Sequence, residues 1–162
     1  MDVLWQELSF GFKDSQEFLR VIIRLVASFI LGGVIGWERE RFGKPAGLRT
    51  HILVSLGTTV FVVGCMMAGM KEDALSRVIQ GILTGIGFIG AGSILKIDRE
   101  RDVKGLTTSA GIWMTAAVGV IIGLGEIGLA IIATILTLIV LTLIAVIEKR
   151  IETKEENISE DK

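Results

Sequence analysis

The chain has 162 residues, of which 51% are hydrophobic, and its formal net charge is −1. It contains one histidine, one cysteine and no tyrosine, which leaves few side chains for catalysis and no disulfide framework. Serine–histidine–acid, paired-cysteine and H-E-x-x-H patterns are absent. We therefore predict that the protein is not an enzyme, and we expect no nucleic-acid partner.

Long apolar blocks are the main feature of the chain. They occupy residues 19–36, 51–70, 78–95, 106–124 and 127–147, and the charged residues gather between them and at the ends. A helix needs roughly 20 apolar residues to cross about 30 Å of hydrocarbon. The sequence thus predicts an all-α fold, a polytopic bundle of five transmembrane helices within residues 19–147, in contact with the lipid bilayer.

Two polar segments flank this predicted bundle. Residues 1–18 carry Trp5, Phe10 and Phe12, which suit either an external segment at the headgroup level or a frayed end. Residues 148–162 are predicted to form a polar tail. In a five-span arrangement, 12 of the 17 basic residues lie in the first loop, the third loop and this tail. The positive-inside rule places that side in the cytoplasm and the N-terminus outside.

The third block contains the stretch GIGFIGAG, whose G-x-G-x-x-G spacing also occurs in dinucleotide-binding turns. The required preceding strand is missing, and an open phosphate-binding turn would leave unpaired backbone groups in lipid. Two other interpretations remain open, close helix packing and a broken helix that lines a solute path. Both place the third span at the centre of the bundle. The glycines concerned are Gly81, Gly85, Gly87, Gly90 and Gly92.

An internal repeat relates the two halves of the chain. At an offset of 60, residues 38–41 align with residues 98–101, so Glu38 corresponds to Asp98 and Arg39 to Arg99. After a two-residue gap, a Gly-Leu-x-Thr stretch recurs, which ends at Thr50 in one half and at Thr108 in the other. We predict a parallel repeat in which helices 1 and 2 match helices 3 and 4 by rotation about the membrane normal.

Ionisable residues inside a span are costly and are therefore functional candidates. Arg24 lies about one helical turn inside the first span, as either a lipid-phosphate anchor or a partner that faces the bundle. Gln80 and Thr84 occupy the matching places in the third span. We therefore predict a polar layer that both halves share.

A second group of candidates lies where the first two spans meet the predicted cytoplasmic surface. It comprises Glu38, Arg39, Arg49, Thr50 and His51. One interpretation is an ion-pair network at the headgroups. The other is a proton or cation site formed by Glu38 and His51, because histidine titrates near neutral pH.

Magnesium is the one ion that the loop carboxylates suggest. They could supply its oxygen ligands, although arginines and lysines alternate with them and argue against a dense metal cage. We therefore expect no cofactor and leave the metal unassigned. The carboxylates concerned are Glu38, Glu40, Asp98, Glu100 and Asp102.

Three linked motifs, GWERERFGKPAGLRTHILVSLG, RVIQGILTGIGFIGAGSIL and VKGLTTSAGIWMTAAVGV, occur in order across residues 19–147. The chain resembles the MgtC/SapB family of bacterial inner-membrane proteins in these motifs. The short SapB-like branch is the better match, because the virulence-associated subgroup has a C-terminal domain and differs at Thr107 and Met114. The residues of this chain that match motif positions of the family include Gly47, Leu48, Gly105 and Trp113, together with the charged and glycine candidates above.

The resemblance implies a multi-span inner-membrane protein connected with growth in low magnesium and with acid tolerance. It implies partners such as a cation pump or the ATP synthase, besides lipid and further copies of the chain. We accordingly expect a non-catalytic modulator of ion homeostasis. The alternative is a transporter or channel for magnesium, protons or a small solute, which would need the polar layer of Arg24, Gln80 and Thr84.

Overall fold

The computed structural model describes residues 15–96 and 103–144. The predicted all-α membrane bundle is confirmed, with five helices in this part of the chain. They are α1 Ser15–Arg41, α2 Leu48–Met67, α3 Glu72–Gly92, α4 Leu106–Leu124 and α5 Ile127–Ile139, which continues as the π-helical turn Val140–Ile144.

Helices α1 to α4 are long and apolar enough to cross a membrane, whereas the apolar run of α5, Ile127–Leu143, is shorter. Two strands of two residues each, β1 Leu95–Lys96 and β2 Val103–Lys104, pair in antiparallel fashion between α3 and α4. The sequence did not predict this pairing. The predicted tail, residues 148–162, lies outside the described residues, as does the predicted N-terminal segment apart from residues 15–18, which form the start of α1.

The connections between helices follow from glycines at the helix ends. Gly43 has a φ of 63° just after α1, where few other residues are stable. A carboxylate oxygen of Glu40 accepts the N–H of Leu48 at 2.8 Å, so one of the unpaired N–H groups at the start of α2 is satisfied. Gly125, with a φ of 98°, ends α4, and only Glu126 separates it from the start of α5.

The centre of the bundle is α4, and the prediction that the third span occupies it is wrong. In the apolar window of α4, 56% of the residues are buried, against 11% in α3. A ridge of small residues on α4 lets α2 approach closely. Thr59 of α2 donates to the carbonyl oxygen of Gly119 at 2.8 Å, and a Cβ at Gly123 would lie 2.6 Å from the Cβ of Val62.

The glycines of α3 do not pack as predicted within the chain. A Cβ added at Gly81, Gly85, Gly87 or Gly92 would meet no other atom within 4 Å, whereas one at Gly90 would contact Ser109. Helix α3 also runs without interruption from Glu72 to Gly92, so the broken-helix interpretation is wrong. Packing of these glycines against another chain stays a prediction.

Part of the predicted repeat is visible in the helix starts. Both α2 and α4 begin at the leucine of a Gly-Leu pair, Leu48 and Leu106, as predicted. The connections that precede them differ, since a turn leads into α2 and the short strand pair leads into α4. Asp98 and Arg99 lie outside the described residues, so their correspondence with Glu38 and Arg39 stays a prediction.

Candidate functional site: a buried polar cluster

Polar side chains line the interface between α1, α2 and α4. This polar seam runs from the end of α1 and the start of α2 toward the middle of the bundle. Each of its side chains is at most 5% exposed. The seam comprises Ser28, Glu38, Arg39, His51, Ser55, Thr58, Thr59, Thr108 and Thr115.

Arg39 organises the end of the seam that lies near the α1–α2 turn. Its guanidinium Nη2 donates to the hydroxyl of Thr108 in α4 at 3.4 Å. Nη1 lies 3.8 Å from a carboxylate oxygen of Glu38, which is an ion pair beyond hydrogen-bond distance. Arg39 therefore ties the last turn of α1 to the first turn of α4.

His51 lies fully buried one turn further into the bundle. Its Nδ1 is 2.7 Å from the hydroxyl oxygen of Thr115, and that hydroxyl donates to the carbonyl oxygen of Gly111 at 2.9 Å. Since Thr115 uses its proton in this way, its oxygen can accept from Nδ1–H of His51, and the backbone of Ala46 also lies near the ring. The ring packs against Gly111, whose Cβ position is at an ordinary van der Waals distance of 3.7 Å from His51 Cε1.

We call Glu38, Arg39, His51, Thr108 and Thr115 the Arg39 cluster. Four of its buried atoms have no hydrogen-bond partner, namely Oε1 and Oε2 of Glu38, Nε of Arg39 and Nε2 of His51. Buried polar atoms are nearly always paired in native proteins, so each exception calls for an explanation. The ion pair expected from the sequence forms between Glu38 and Arg39, whose side chains are buried in the helix contact, and the choice between the two interpretations made from the sequence stays a prediction.

Two glycines of α1 bring the seam together. A Cβ at Gly32 would lie 2.7 Å from the Cβ of Ser55, and one at Gly36 would lie 2.7 Å from the Cα of Leu48. The hydroxyls of Ser28 and Ser55 are hydrogen-bonded across this contact at 3.0 Å. Close backbone approach thus lets short hydroxyl side chains of two helices reach each other.

Arg24 contacts the bundle at the opposite end of α1, and its side chain is half-buried there. Nη1 donates to the carbonyl oxygen of Gly123 in the last turn of α4 at 2.8 Å. That carbonyl is one of the groups that a helix end leaves without an intrahelical partner, and a cation is favoured near it.

The predicted polar layer of Arg24, Gln80 and Thr84 does not form within the chain. Gln80 and Thr84 are exposed on α3, and the Thr84 hydroxyl donates to the Gln80 carbonyl of its own helix at 2.9 Å. Arg24 packs on the end of α4 instead. The sequence connected these three residues because they hold matching positions in the two halves of the repeat. Matching positions in two helices need not face each other in the bundle.

The other predicted site residues lie outside the seam. Arg49 is exposed, Thr50 is half-buried, and Trp113 is 47% exposed beside an apolar cavity of about 490 Å³ between α4 and α5. Within residues 15–96 and 103–144, no three histidine, cysteine or acidic side chains come together as metal ligands. The magnesium suggestion for the loop carboxylates stays a prediction, because most of them fall outside those residues.

Apart from Thr108, sequence reasoning missed the hydroxyl residues of the seam, although the sequence carries a signal for them. In α2, His51, Ser55 and Thr59 recur every four residues. In α4, Gly111, Thr115, Gly119 and Gly123 do the same. Small and hydroxyl residues at this spacing form a single helix face, and membrane helices pack through such faces.

The fold and the seam together define a polytopic helical membrane protein whose core is a polar three-helix contact. A profile described as the MgtC family matches residues 25–150, so the chain belongs to this family. No solved structure matches it.

Three similar proteins come from bacteria. Protein SrpB of Synechococcus elongatus is 41% identical over 142 residues, which cover 81% of this chain and 78% of SrpB. The "Putative magnesium transporter YhiD" of Escherichia coli is 43% identical over 127 residues, 74% of this chain and 58% of YhiD. Protein MgtC of Salmonella typhimurium is 41% identical over 117 residues, 72% of this chain and 49% of MgtC. This chain is thus a bacterial membrane protein that matches only about half the length of two of these relatives.

Proposed function

We propose that the protein is a non-catalytic modulator of ion homeostasis in the bacterial inner membrane, active in adaptation to low magnesium or acid. The link to magnesium is supported by the family and by the similarity to the putative magnesium transporter YhiD, of which the chain matches 58%. In this proposal the protein acts by contacting another membrane protein, such as a cation pump or the ATP synthase.

The open glycine face of α3 is the observation that carries the proposal. Gly81, Gly85 and Gly92 expose bare backbone, and 11% of the apolar window of α3 is buried by the rest of the chain. Such a surface suits close contact with a transmembrane helix of a partner. Gly81 and Gly85 also line an apolar groove of about 730 Å³ between α2 and α3, and the lining includes Phe88, which is 83% exposed.

Transport is the alternative function, and the name of YhiD favours it. Its sequence argument depended on the layer of Arg24, Gln80 and Thr84, which the chain does not assemble. The experiment that separates the two functions is flux into liposomes that contain only the purified protein. We expect magnesium and proton flux equal to that of empty liposomes, and robust flux of either ion would favour transport.

A growth experiment tests the contact face. In a strain that lacks the gene and grows poorly in low magnesium, we expect Gly85→Leu to abolish rescue by the plasmid-borne protein at unchanged membrane abundance. Gly64→Leu in α2 is the matched control, because Gly64 is also exposed and its Cβ would meet no atom. Full rescue by Gly85→Leu, or equal loss with Gly64→Leu, would contradict a role for the α3 face.

A further inference from the structure

One exposed face of α1 changes its chemical character along the helix. Val26, Ile30 and Val34 follow one another on this face at helical spacing, and all three are exposed. The exposed ring of Trp37 comes next, and the exposed side chain of Arg41 ends both the face and the helix. We call this set the α1 stripe. A phospholipid presents its parts in the same order, since its acyl chain leads to the interface where tryptophans lie and then to the charged phosphate.

The length of the apolar part of the stripe matches one leaflet of a bilayer. Between Val26 and Trp37 the helix rises about 16 Å, at about 1.5 Å per residue. Half of a hydrocarbon core of about 30 Å is about 15 Å. One acyl chain can therefore lie along the stripe from the middle of the membrane to the level of Trp37. A free phosphate ion would contact none of this apolar surface, so a lipid is the occupant that the whole stripe fits.

Arg41 is restrained by the protein but not neutralised by it. Its guanidinium carbon lies 5.4 Å from the centre of the Trp37 ring, which is within range of a cation–π contact. Among the described residues, no acidic side chain pairs with Arg41 and no protein atom accepts a hydrogen bond from its guanidinium, so these N–H donors stay available. The ring contact limits the orientations of this long side chain. Restraint of this kind lowers the entropic cost of binding a phosphate group.

The acidic residues next to Arg41 in the chain are engaged inside the protein. Glu38 is buried beside Arg39, and Glu40 accepts the N–H of Leu48 at the start of α2. The basic side chains of this corner are exposed and, in the part of the chain that the structure describes, have no ion-pair partner. They are Arg41, Lys44 and Arg49. The outward charge at this corner is therefore positive, which complements an anionic headgroup.

We propose that the α1 stripe binds an anionic phospholipid, whose phosphate contacts Arg41 beside Trp37 and whose acyl chain lies along the apolar part of the stripe. Phosphatidylglycerol carries the net negative headgroup that this site requires. Phosphatidylcholine has the same phosphate but a compensating cation, so it should bind less tightly. The site goes beyond the proposed function and lies on a different helix from the α3 face, so either proposal can fail without the other.

The fluorescence of Trp37 tests this proposal. The chain has three tryptophans, so Trp5→Phe and Trp113→Phe leave Trp37 as the single emitter. The full chain is placed in phosphatidylcholine vesicles in which the same fraction of lipid is brominated phosphatidylglycerol or brominated phosphatidylcholine, because bromine on an acyl chain quenches a tryptophan that it contacts. We expect quenching that corresponds to about fivefold tighter binding of phosphatidylglycerol, the attraction of one basic side chain for an anionic surface. Equal quenching by the two lipids would overturn the proposal.

Two substitutions separate a site on the stripe from the general charge of the surface. Arg41→Gln and Arg49→Gln remove the same charge from exposed positions, but only Arg41 belongs to the stripe. We expect Arg41→Gln to abolish the preference for phosphatidylglycerol and Arg49→Gln to leave most of it. An equal loss in both variants would mean that the lipid gathers at a charged surface without a site, and would overturn the proposal. Relief of quenching by inorganic phosphate at constant ionic strength would also overturn it, since a site that recognises phosphate alone needs no lipid.

Discussion

Arg24 donates to the carbonyl oxygen of Gly123, a residue 99 positions further along the chain. From the sequence alone this arginine was equally well explained by lipid phosphate or by a bundle contact. In the structure Arg24 contacts a backbone carbonyl at a helix end. The sequence cannot reveal this contact, because every residue carries the same backbone atoms. At the scale of the residue, the position of Arg24 is therefore explained by a backbone carbonyl that has no hydrogen-bond partner within its own helix.

We predict that Arg24→Leu destabilises the protein by about 1.5 kcal/mol, the lower end for a hydrogen bond to a charged group, because the side chain is partly exposed. The measurement is unfolding in mixed micelles with increasing denaturing detergent. Arg20→Leu, one turn earlier and fully on the surface, is the control and should change stability little. Equal losses for both variants would indicate that Arg24 contributes through lipid rather than through Gly123.

Glu38 and Arg39 should behave as a coupled pair. Arg39→Leu leaves the Glu38 charge buried without compensation, for which we expect a loss of about 3–5 kcal/mol. Adding Glu38→Gln to Arg39→Leu should recover a large part of that loss, because the uncompensated charge is gone. The four proteins of this double-mutant cycle are compared in the same unfolding assay. Additive effects would mean that the 3.8 Å ion pair contributes no coupling.

At the scale of the element, two glycine-bearing helices have opposite environments. Gly119 and Gly123 of α4 lie against α2, whereas Gly81 and Gly85 of α3 meet nothing in their own chain. A glycine-rich span shows that a helix permits close approach, but not which helix approaches it. That is why the number of helices could be predicted from apolar length, and the starts of α2 and α4 from the Gly-Leu pairs, while the central helix could not. Other ends were misplaced, since α1 runs from Ser15 to Arg41 and the apolar block covers only residues 19–36.

Replacing a glycine by alanine should have opposite effects on the packed face of α4 and on the open face of α3. Gly119→Ala would force a methyl group against Thr58 and the Ser55 backbone, at a cost of about 1–3 kcal/mol. Gly85→Ala meets open space and restricts the unfolded chain, so it should stabilise the isolated protein by about 0.5–1 kcal/mol. Both are measured by the same unfolding assay, without any partner. Destabilisation by Gly85→Ala would show that the α3 face is already occupied, for example by a second copy.

The Arg39 cluster shows a further limit of sequence reasoning at this scale. Glu38, Arg39 and His51 were recognised because they are charged or titratable at a span boundary. Thr108 was recognised only through the repeat, and Thr115, which fixes the imidazole of His51, was missed. The pairing depends on how α4 is rotated about its own axis, and the close contacts of Gly119 and Gly123 with α2 fit that rotation.

At the scale of the whole molecule, the α1–α2 turn and the α3–α4 connection lie on one side of an up-and-down bundle. The positive-inside rule predicts that this side is cytoplasmic, since most arginines and lysines belong to it. We expect a reporter fused before Met1 to read external and one fused after Lys162 to read cytoplasmic. A matched pair of fusions that read the same side would imply an even number of crossings and would contradict a fifth span.

The two-residue turn at Gly125 and Glu126 has a consequence for how the protein enters the bilayer. A connection this short cannot leave α4 in the membrane and α5 behind, so the two helices must insert together as a hairpin. The tip of that hairpin carries a single charge, Glu126, and the orientation predicted by the positive-inside rule would carry it across the hydrocarbon once during synthesis. Acidic residues influence the orientation of membrane proteins little, whereas basic residues hold a loop back. Placing one carboxylate and no lysine or arginine at this tip therefore keeps the barrier to biogenesis low.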